Sequence, residues 1–345
     1  MRRPVYAWIH RVWYEGASSY RLLLPLSGLY WLLIALRRFL FSMGVLGSHE
    51  PVVPVIVVGN ITAGGTGKTP VTIWLTRELQ ARGFSPGIVS RGYGGSKSSS
   101  SMRVDVASDP DVVGDEPVLL AMRTGCPVVV DSNRVRAAEM LVADGADLII
   151  ADDGLQHYRL TRIYEICVID GSRGLGNRLL LPAGPLRETL SRLGEVDQVL
   201  INGHLREASE ALSVVEQNAI EFELVATEVS RLNGSLTRPI DRFAGTTVHA
   251  VAAIGNPSRF FDLLRAHDIQ VIEHALPDHA KIASKDLEFG DEFEVLMTEK
   301  DAVKLTAVKS DKLWKVPVEL KIDPLLAGPW LAQIESRLRD EKNES

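Results

Sequence analysis

The stretch VIVVGNITAGGTGKTP, residues Val55–Pro70, decides the fold class of this chain. A short β-branched apolar run, Val55–Val58, precedes a glycine-rich loop that ends in Gly-Lys-Thr, and apolar residues at helical spacing follow from Pro70 to Arg82. A strand, a glycine-rich loop and a helix in this order are typical of a phosphate-binding loop, whose backbone N–H groups surround phosphate oxygens at a helix N-terminus. The stretch therefore predicts a site for a nucleotide triphosphate.

Two side chains of this loop carry the expected chemistry. Lys68 is expected to reach the terminal phosphates, and the hydroxyl of Thr69 is expected to bind Mg²⁺. The usual pattern G-x-x-x-x-G-K-[ST] begins with glycine, whereas this chain has Thr62 at that position. We still predict a phosphate-binding loop, because the later glycines leave the backbone free to turn its N–H groups inward.

The composition limits the classes of protein to which the chain can belong. It has 345 residues, of which 46% are hydrophobic, enough for one large or two ordinary domains. Its formal net charge of −6 argues against general nucleic-acid binding, so no nucleic-acid partner is expected. Its two cysteines, Cys126 and Cys167, lie in no C-x-x-C pattern, which is typical of a protein in a reducing compartment.

Strand and helix patterns alternate beyond the loop, with apolar strands predicted at PVVVD, ADLIIADD, EICVID and DQVLING. This alternation predicts an α/β fold of the P-loop NTPase type, a mostly parallel sheet with helices on both faces. A second strand–helix–strand block predicts a smaller α/β C-terminal lobe, and FEVLMTEKDAVKL after it adds a strand and a helix, expected to return to the first sheet. The predicted segments are an N-terminal membrane-associated helix (1–45), the P-loop core (46–225), linker strands (226–243), the smaller lobe (244–295), and a return to the core with a C-terminal helix (296–345).

The N-terminal segment is basic and apolar. Between Arg21 and Arg37 the run LLLPLSGLYWLLIAL is uncharged, but it is shorter than the ~20 residues that a spanning helix needs, and Pro25 and Gly28 interrupt it. Three interpretations are open: an amphipathic helix at the membrane interface, a helix packed into the core, and a true span. Arginines near Trp and Tyr residues favour the first, because basic and aromatic side chains suit the headgroup region. We predict peripheral or monotopic attachment to an anionic membrane.

Two acidic pairs stand where a nucleotide site would need them. Asp152 and Asp153 end an apolar strand, where carboxylates of P-loop enzymes hold Mg²⁺, although an Asp-Asp-Gly turn is also common after strands. Asp115 and Glu116 in VVGDEP precede a helix, where Asp115 is either a helix cap or a general base that takes a proton from an acceptor hydroxyl. The upstream loop favours the metal role for the first pair, whereas spacing alone favours the cap for Asp115.

Polar residues after other strands are further candidates, since ligands of such sheets bind at the carboxyl ends of the strands. Arg187 in LLPAGPLRE either clamps an anionic group or forms a structural ion pair. Asp278 and His279 in LPDHAKI follow a strand of the smaller lobe, and they become important only if that lobe closes over the loop. The remaining substrate-binding candidates are Asn60, Arg91, Glu116, Gln156, His157 and Glu188.

Eight motifs occur in order along most of the chain: VVGNITAGGTGKTP, RGYGG, GDEP, ADDGLQH, VIDGSRGLGNRLLLPAGPLRE, IGNPSRFF, PDH and MTEKDAVK. In this order they resemble the tetraacyldisaccharide 4′-kinases, the lipid A 4′-kinases, from the basic N-terminus to about Lys304. The resemblance implies a membrane-associated kinase of Gram-negative bacteria. Such an enzyme moves the γ-phosphate of ATP to the 4′-hydroxyl of a tetraacylated glucosamine disaccharide 1-phosphate, yielding lipid IVA. We expect a monomer at the cytoplasmic face of the inner membrane.

The same resemblance implies roles for individual residues. Asp115 is the implied catalytic base, assisted by His279, and Lys68 is the implied stabiliser of the transferring phosphoryl group. Thr69, Asp152 and Asp153 are the implied ligands that organise Mg²⁺. The family often has a second histidine after Asp-His, where this chain has Ala280. The matched nucleotide loop consists of Thr62, Ala63, Gly64, Gly65, Thr66, Gly67, Lys68 and Thr69.

Two other nucleotide-binding classes compete with this interpretation. ATPases of the partition or division-site type also carry Gly-Gly-x-Gly-Lys-Thr and dock on membranes, but they place a lysine just before the two glycines, where this chain has Ala63. A GTP-binding switch needs an Asn-Lys-x-Asp loop to read the base, and the sequence has none. A lipid kinase therefore remains the prediction, with the membrane-docking ATPase as its alternative.

Overall fold

The computed structural model describes residues 2–92, 95, 100–205, 219–305, 308 and 310–344, so the centre of RGYGG lies outside it. Its strands are β1 (Val55–Gly59), β2 (Pro86–Ser90), β3 (Met102–Val104), β4 (Val128–Val130), β5 (Leu148–Asp152), β6 (Tyr164–Asp170), β7 (Gln198–Asn202), β8 (Ala219–Val225), β9 (Glu228–Arg231), β10 (Thr237–Pro239), β11 (Thr247–Ala252), β12 (Gln270–Ala275), β13 (Glu294–Thr298), β14 (Leu313–Val316) and β15 (Glu319–Ile322). Its α-helices are α1 (Arg2–Tyr14), α2 (Leu24–Ser42), α3 (Lys68–Ala81), α4 (Pro110–Val113), α5 (Asp115–Thr124), α6 (Arg134–Ala143), α7 (Pro257–Ala266), α8 (Glu299–Ala302) and α9 (Pro324–Glu344).

The larger sheet has nine strands in the order β15-β8-β7-β6-β1-β5-β2-β4-β3. Strand β1 lies in its interior and pairs in parallel with β5 and β6, while the two edge strands, β3 and β15, are antiparallel to their neighbours. All five residues of β1 are buried, as they are in β2 and β5, because helices cover both faces. The predicted α/β fold with a mostly parallel sheet is confirmed.

Helices cover the two faces of this sheet in distinct groups. Helices α3, α5 and α9 share one apolar core, in which Trp74 of α3 stacks on Trp330 of α9 at 5.6 Å between ring centroids. Helix α6 packs on the opposite face, where Leu141 is fully buried with apolar residues of β1 and β5. Because parallel strands run in one direction, their carboxyl ends meet at one edge, and the phosphate-binding loop leaves the sheet there.

The smaller sheet has six strands in the order β10-β9-β14-β13-β11-β12. It includes β9 and β10, which the sequence placed in a linker, and β13, which was expected to return to the first sheet. Among the described residues after β13, β15 pairs with the larger sheet, and Val303 and α9 join its core. The difference has a simple cause: an apolar strand pattern indicates a strand but does not specify which neighbour it will pair with.

One side of the N-terminal helices packs against the loop at residues 177–187. Ser27 of α2 donates a hydrogen bond to the carbonyl of Leu180 at 2.9 Å, and the hydroxyl of Tyr30 donates to the carbonyl of Arg187 at 3.1 Å. The other side of α2 is apolar and exposed, with more than half of the surface accessible at Leu29, Leu32, Leu33, Leu36 and Phe39.

Residues Ser18–Ser42 are long and apolar enough to cross a membrane by length and composition, and only 6% of the most apolar window is buried. Length and composition alone are weak grounds for a span, because soluble core helices and signal sequences can have the same length and composition. A helix packed into the core would be mostly buried. The structure therefore argues against a core-packed helix, and an interfacial helix and a membrane span remain as interpretations of this segment.

Candidate active site

The phosphate-binding loop runs from the end of β1 to the start of α3. The side-chain amide of Asn60 donates to the carbonyl of Thr62 at 2.8 Å, which holds the first half of the loop. Thr62 pairs with Leu186 as an isolated antiparallel bridge, and the N–H of Ala63 donates to the carbonyl of Pro185 at 2.7 Å. Because Thr62 is paired in this way and has no positive φ, this position has no need of the usual glycine.

Two glycines, one in the loop and one packed against it, lie where a Cβ would collide with a neighbour. Gly67 has φ +98°, and a Cβ on it would lie 2.6 Å from the side-chain nitrogen of Asn202. Gly255, which belongs to the smaller lobe, packs on the loop so closely that a Cβ on it would lie 2.3 Å from the backbone nitrogen of Gly65. The smaller lobe therefore touches the phosphate-binding loop directly, at the carboxyl ends of the strands of the larger sheet.

Lys68, at the start of α3, points toward Asp153. Their charged atoms are 3.4 Å apart, and Arg187 approaches the same carboxylate at 3.2 Å. Asp153 has φ +49°, an uncommon conformation for a residue with a side chain, so the surrounding contacts must hold it there. Burial alone would raise the pKa of Asp153, but the charges of Lys68 and Arg187 outweigh it and hold that pKa well below its usual range.

Asp152 is in the opposite electrostatic situation from its neighbour. It is 1% exposed, and it accepts a hydrogen bond from the hydroxyl of Thr72 at 3.1 Å. Burial, together with the charges of Glu116 and Asp153, raises its pKa to about 7. A buried carboxylate that is short of positive charge is the kind of oxygen ligand that Mg²⁺ requires, so the chemistry of this position fits the ion.

The possible Mg²⁺ ligands are few. Among the residues that the structure describes, no three His, Cys, Asp or Glu side chains are grouped to hold a metal ion. Thr69 lies half-buried in the first turn of α3 and would add one oxygen. Such a set fits Mg²⁺ bound together with a nucleotide, since Mg²⁺ is usually held by one or two carboxylates plus phosphates and waters.

A second cluster is centred on Asp115 and His279, which come from the two different lobes. The Nδ1 atom of His279 lies 2.9 Å and 3.1 Å from the two carboxylate oxygens of Asp115. Lys304 approaches Asp115 at 3.2 Å. Helix α5 is capped by Gly114, and Asp115 is its first helical residue, so Asp115 does not occupy the cap position that spacing favoured.

Burial and charge act in opposite directions on this pair. Burial would raise the pKa of Asp115, but the hydrogen bond with His279 and the charges of Lys300 and Lys304 hold that pKa well below its usual range. Burial would lower the pKa of His279, and the hydrogen bond with Asp115 raises it overall. His279 also has φ +56°, so both histidine and carboxylate are held in a defined arrangement.

Glu116 connects the two clusters electrostatically. It accepts a hydrogen bond from the ammonium group of Lys300 at 2.8 Å, in the second cluster. Burial would raise the pKa of Glu116, but the charges of Lys300 and Lys68 lower it. The negative charge of Glu116 in turn contributes to the raised pKa of Asp152. The group around Lys68, Asp152 and Asp153 and the group around Asp115 and His279 therefore influence each other electrostatically, although they come from separate parts of the chain.

Three further candidates form a buried network beside the loop. Gln156 donates to the carbonyl of Asn60 at 3.0 Å and to Glu188 at 2.9 Å. Glu188 is 1% exposed, accepts from Tyr158 at 2.5 Å and lies 3.3 Å from Arg192. The contacts of Gln156 and Glu188 within the protein show that they support the shape of the loop.

Two other candidates lie apart from these clusters. His157 has a buried Nε2 atom without a hydrogen-bond partner among the described residues, and burial together with the charges of Arg134 and Arg162 lowers its pKa to about 4. It is therefore neutral at pH 7. Arg91 is exposed after β2, where its charge helps to lower the pKa of Arg134.

Sequence reasoning gave no role to the two lysines of MTEKDAVK. Lys300 lies in α8, directly after β13, and Lys304 follows one turn later, and both reach the pair Asp115–His279. Their position after the carboxyl end of a strand was a usable signal. This signal could not be used without knowing that β13 lies beside β11, because the N–H of His279 donates to the carbonyl of Ala253 just after the end of β11.

These features define the class of the protein: an α/β protein with a phosphate-binding loop and a hydrogen-bonded Asp–His pair suited to proton transfer, in which the aspartate is buried. A family described as tetraacyldisaccharide-1-P 4′-kinase matches residues 19–336. The chain belongs to this family of kinases.

Several relatives support this assignment. The tetraacyldisaccharide 4′-kinase of Nitrosococcus oceani is 44% identical over 97% of this chain and 96% of its own, and that of Alkalilimnicola ehrlichii is 48% identical over 87% and 88%. A crystal structure of LpxK from Aquifex aeolicus, described as an "apo" form in complex with ATP, has 26% identity and a TM-score of 0.76, covering 92% of this chain and 99% of that one.

Proposed function

We propose that this chain transfers the γ-phosphoryl group of ATP to the 4′-hydroxyl of a tetraacylated glucosamine disaccharide 1-phosphate, forming lipid IVA. The observation that carries the proposal is the hydrogen-bonded pair Asp115–His279, which joins the smaller lobe to the core; the charge of Lys68 in the phosphate-binding loop acts on Glu116, directly beside this pair. Phosphoryl transfer requires positioning and charge neutralisation more than covalent chemistry, and both are provided by groups of this site.

The phosphate-binding loop, residues 62–69, would hold the triphosphate of ATP. Its backbone N–H groups and the N-terminus of α3 would bind the phosphate oxygens, and Lys68 would leave Asp153 for the terminal phosphates. Thr69, Asp152 and Asp153 would hold Mg²⁺, which supplies charge neutralisation to the phosphates when it is bound. Arg187 would keep Asp153 compensated when Lys68 moves.

Asp115 would act as the general base for the acceptor hydroxyl. It accepts the proton of the 4′-hydroxyl while that oxygen bonds to the γ-phosphorus and the bond to the oxygen leaving with ADP breaks. The Nδ1–H of His279 donates to the same carboxylate and fixes its orientation. Because this pair bridges the two lobes, the base is in place only when the smaller lobe is docked on the core.

The exposed face of α2 would lie in the membrane interface, at the cytoplasmic face of the bacterial inner membrane. A tetraacyl lipid leaves the bilayer only at a cost of about 0.8 kcal/mol per buried CH₂, so the kinase has to come to the lipid. The hydrogen bond of Tyr30 in helix α2 with the carbonyl of Arg187 supports a membrane contact close to the proposed site. Exposed Arg21 and Arg37 suit anionic headgroups. We propose a monomer without a nucleic-acid partner.

A transfer assay tests this function directly. The purified protein is incubated with γ-labelled ATP, Mg²⁺ and the disaccharide 1-phosphate in mixed micelles, and the lipid is separated by chromatography. We expect label in the lipid, and none when the 4′-hydroxyl is replaced by hydrogen. The alternative, a membrane-docking ATPase of the partition type, would hydrolyse ATP without labelling the lipid, and that result would refute the proposal.

A further inference from the structure

Two largely covered lysines of the smaller lobe, Lys300 and Lys304, converge on the pair Asp115–His279. The Nζ atom of Lys300 lies 3.4 Å from the Nε2 atom of His279, and that of Lys304 lies 3.2 Å from a carboxylate oxygen of Asp115. Their side chains are only 14% and 13% exposed. Burying an ammonium group is unfavourable unless it is paired, so their placement against this pair requires an explanation.

We propose that Lys300 and Lys304 are positioning residues of the phosphoryl-transfer site. Lys300 would hold His279 in the tautomer that carries its hydrogen on Nδ1, and Lys304 would hold Asp115 as a charged carboxylate. This inference rests on the proposed function, because the pair that the lysines orient is the proton-accepting group of that reaction. Neither lysine needs to touch either substrate.

The argument for Lys300 follows from its hydrogen-bonding capacity. An ammonium group is a donor only, so the imidazole nitrogen that faces it has to be an acceptor. If Nε2 of His279 is the acceptor, the hydrogen of the neutral ring is on Nδ1, from which it is donated to Asp115. The charge of Lys300 also disfavours a second proton on the ring, and so works against the rise in the pKa of His279 that Asp115 causes.

The argument for Lys304 rests on how rigidly it is held. It lies 2.9 Å from Asp301, which is fully buried and accepts hydrogen bonds from the hydroxyl of Thr298 at 2.6 Å and from the N–H of Ala253 at 2.9 Å. It also donates to the carbonyl of Ala280 at 3.3 Å. A cation fixed in this way keeps its distance to Asp115 and favours the ionised form of that carboxyl.

Other charges also face the pair, and they determine how large an effect each lysine can have. The charged side chains around Asp115 and His279 are Glu116 on α5, Asp278 in the preceding loop, and Lys300, Asp301 and Lys304 on the turn that follows β13. Asp109, Asp286 and the ion pair of Asp111 with Lys281 line the outer part of an adjoining cavity of about 440 Å³. The two lysines are the cations in closest contact with the pair within the described part of the chain.

The first test is the pH dependence of turnover in Lys300→Met and Lys304→Met. Removing a cation at this distance should raise the apparent pKa of the pair by about one unit or more, whichever of the two side chains takes the proton. At saturating lipid and Mg·ATP, the acidic limb of the pH profile of kcat should therefore move to higher pH by that amount. Lys304→Arg keeps the positive charge, so its pH profile should have the acidic limb at the wild-type position. Lys312→Met is the matched control, because Lys312 is 47% exposed and pairs with the exposed Glu292.

A second measurement identifies the tautomer of His279 directly. The ¹⁵N imidazole shifts of His279 in the ligand-free wild-type protein, assigned by comparison with His279→Asn, report which nitrogen carries the hydrogen. We expect Nδ1–H with an unprotonated Nε2, and a higher titration midpoint in Lys300→Met. An Nε2–H tautomer in the wild type, or unshifted limbs in both Met variants, would overturn the inference. If the wild type labels no lipid, the proposed function fails instead, and the tautomer remains a separate result.

Discussion

Replacement of Asp115 by asparagine separates its proposed role as a base from its role in packing. Asparagine keeps the shape and can still accept the hydrogen bond from His279, but it cannot take a proton from the acceptor hydroxyl. A general base contributes about 10²–10⁴-fold to a rate. Because His279, Lys300 and Lys304 hold the pKa of Asp115 well below its usual range, it is a weak base, and we expect a loss in kcat toward the lower end, about 10²–10³-fold.

The structure predicts little loss of stability in the same variant. Lys304 keeps its ion pair with Asp301 at 2.9 Å, and Lys300 keeps Glu116 at 2.8 Å, so neither lysine becomes an unpaired buried charge. The assay is steady-state transfer of labelled phosphate to the lipid, with the KM for ATP expected to stay near that of the wild type. Asp111→Asn is the matched control, since Asp111 is exposed on the rim of the adjoining cavity. Turnover of Asp115→Asn at the wild-type rate would refute the assignment of the base.

Three further predictions concern the loop, the cation site and the membrane. Lys68→Met should abolish lipid labelling while the protein stays folded by circular dichroism, because the positive charge on the terminal phosphates is lost; retained transfer would contradict this role. Asp152→Asn should raise the free energy of unfolding at pH 8 without Mg²⁺ by on the order of 2 kcal/mol, because a pKa raised from 3.8 to about 7 means that wild-type stability falls as pH rises from about 4 to 7 and stays lower above 7; an unchanged unfolding curve would argue against the raised pKa. Leu32→Glu with Leu36→Glu should weaken binding to anionic vesicles in a flotation assay without changing ATP affinity; full binding would place the membrane contact elsewhere.

The core of the fold could be read from the sequence because its signals are local. The run Val55–Val58, the glycines and Lys68 lie within one short stretch, and the buried strands β1 and β5 are almost continuously apolar. The smaller sheet could be predicted only in part. Strand β14 was not predicted, and the pairing of β13 with β11 and of β9 with β14 depends on contacts far apart in the chain.

The site shows the same limit at the level of side chains. The pair Asp115–His279 joins residues 164 positions apart, and local spacing alone favoured a helix cap for Asp115, so only the resemblance to a family indicated the pair. The roles of Gln156 and Glu188 in a buried network could not be predicted, because each depends on partners in other loops. The same holds for Lys300, whose contact with His279 follows from the order of strands in the smaller sheet.

The most direct test of the proposed mechanism is a structure of the protein with a non-hydrolysable ATP analogue, Mg²⁺ and the disaccharide lipid bound together. We expect the 4′-oxygen within about 3.2 Å of a carboxylate oxygen of Asp115, with the terminal phosphate in contact with Lys68 on its other side. A complex in which the lobes are closed and the 4′-oxygen faces the phosphate, while Asp115 points away and no water links it to that oxygen, would contradict the mechanism.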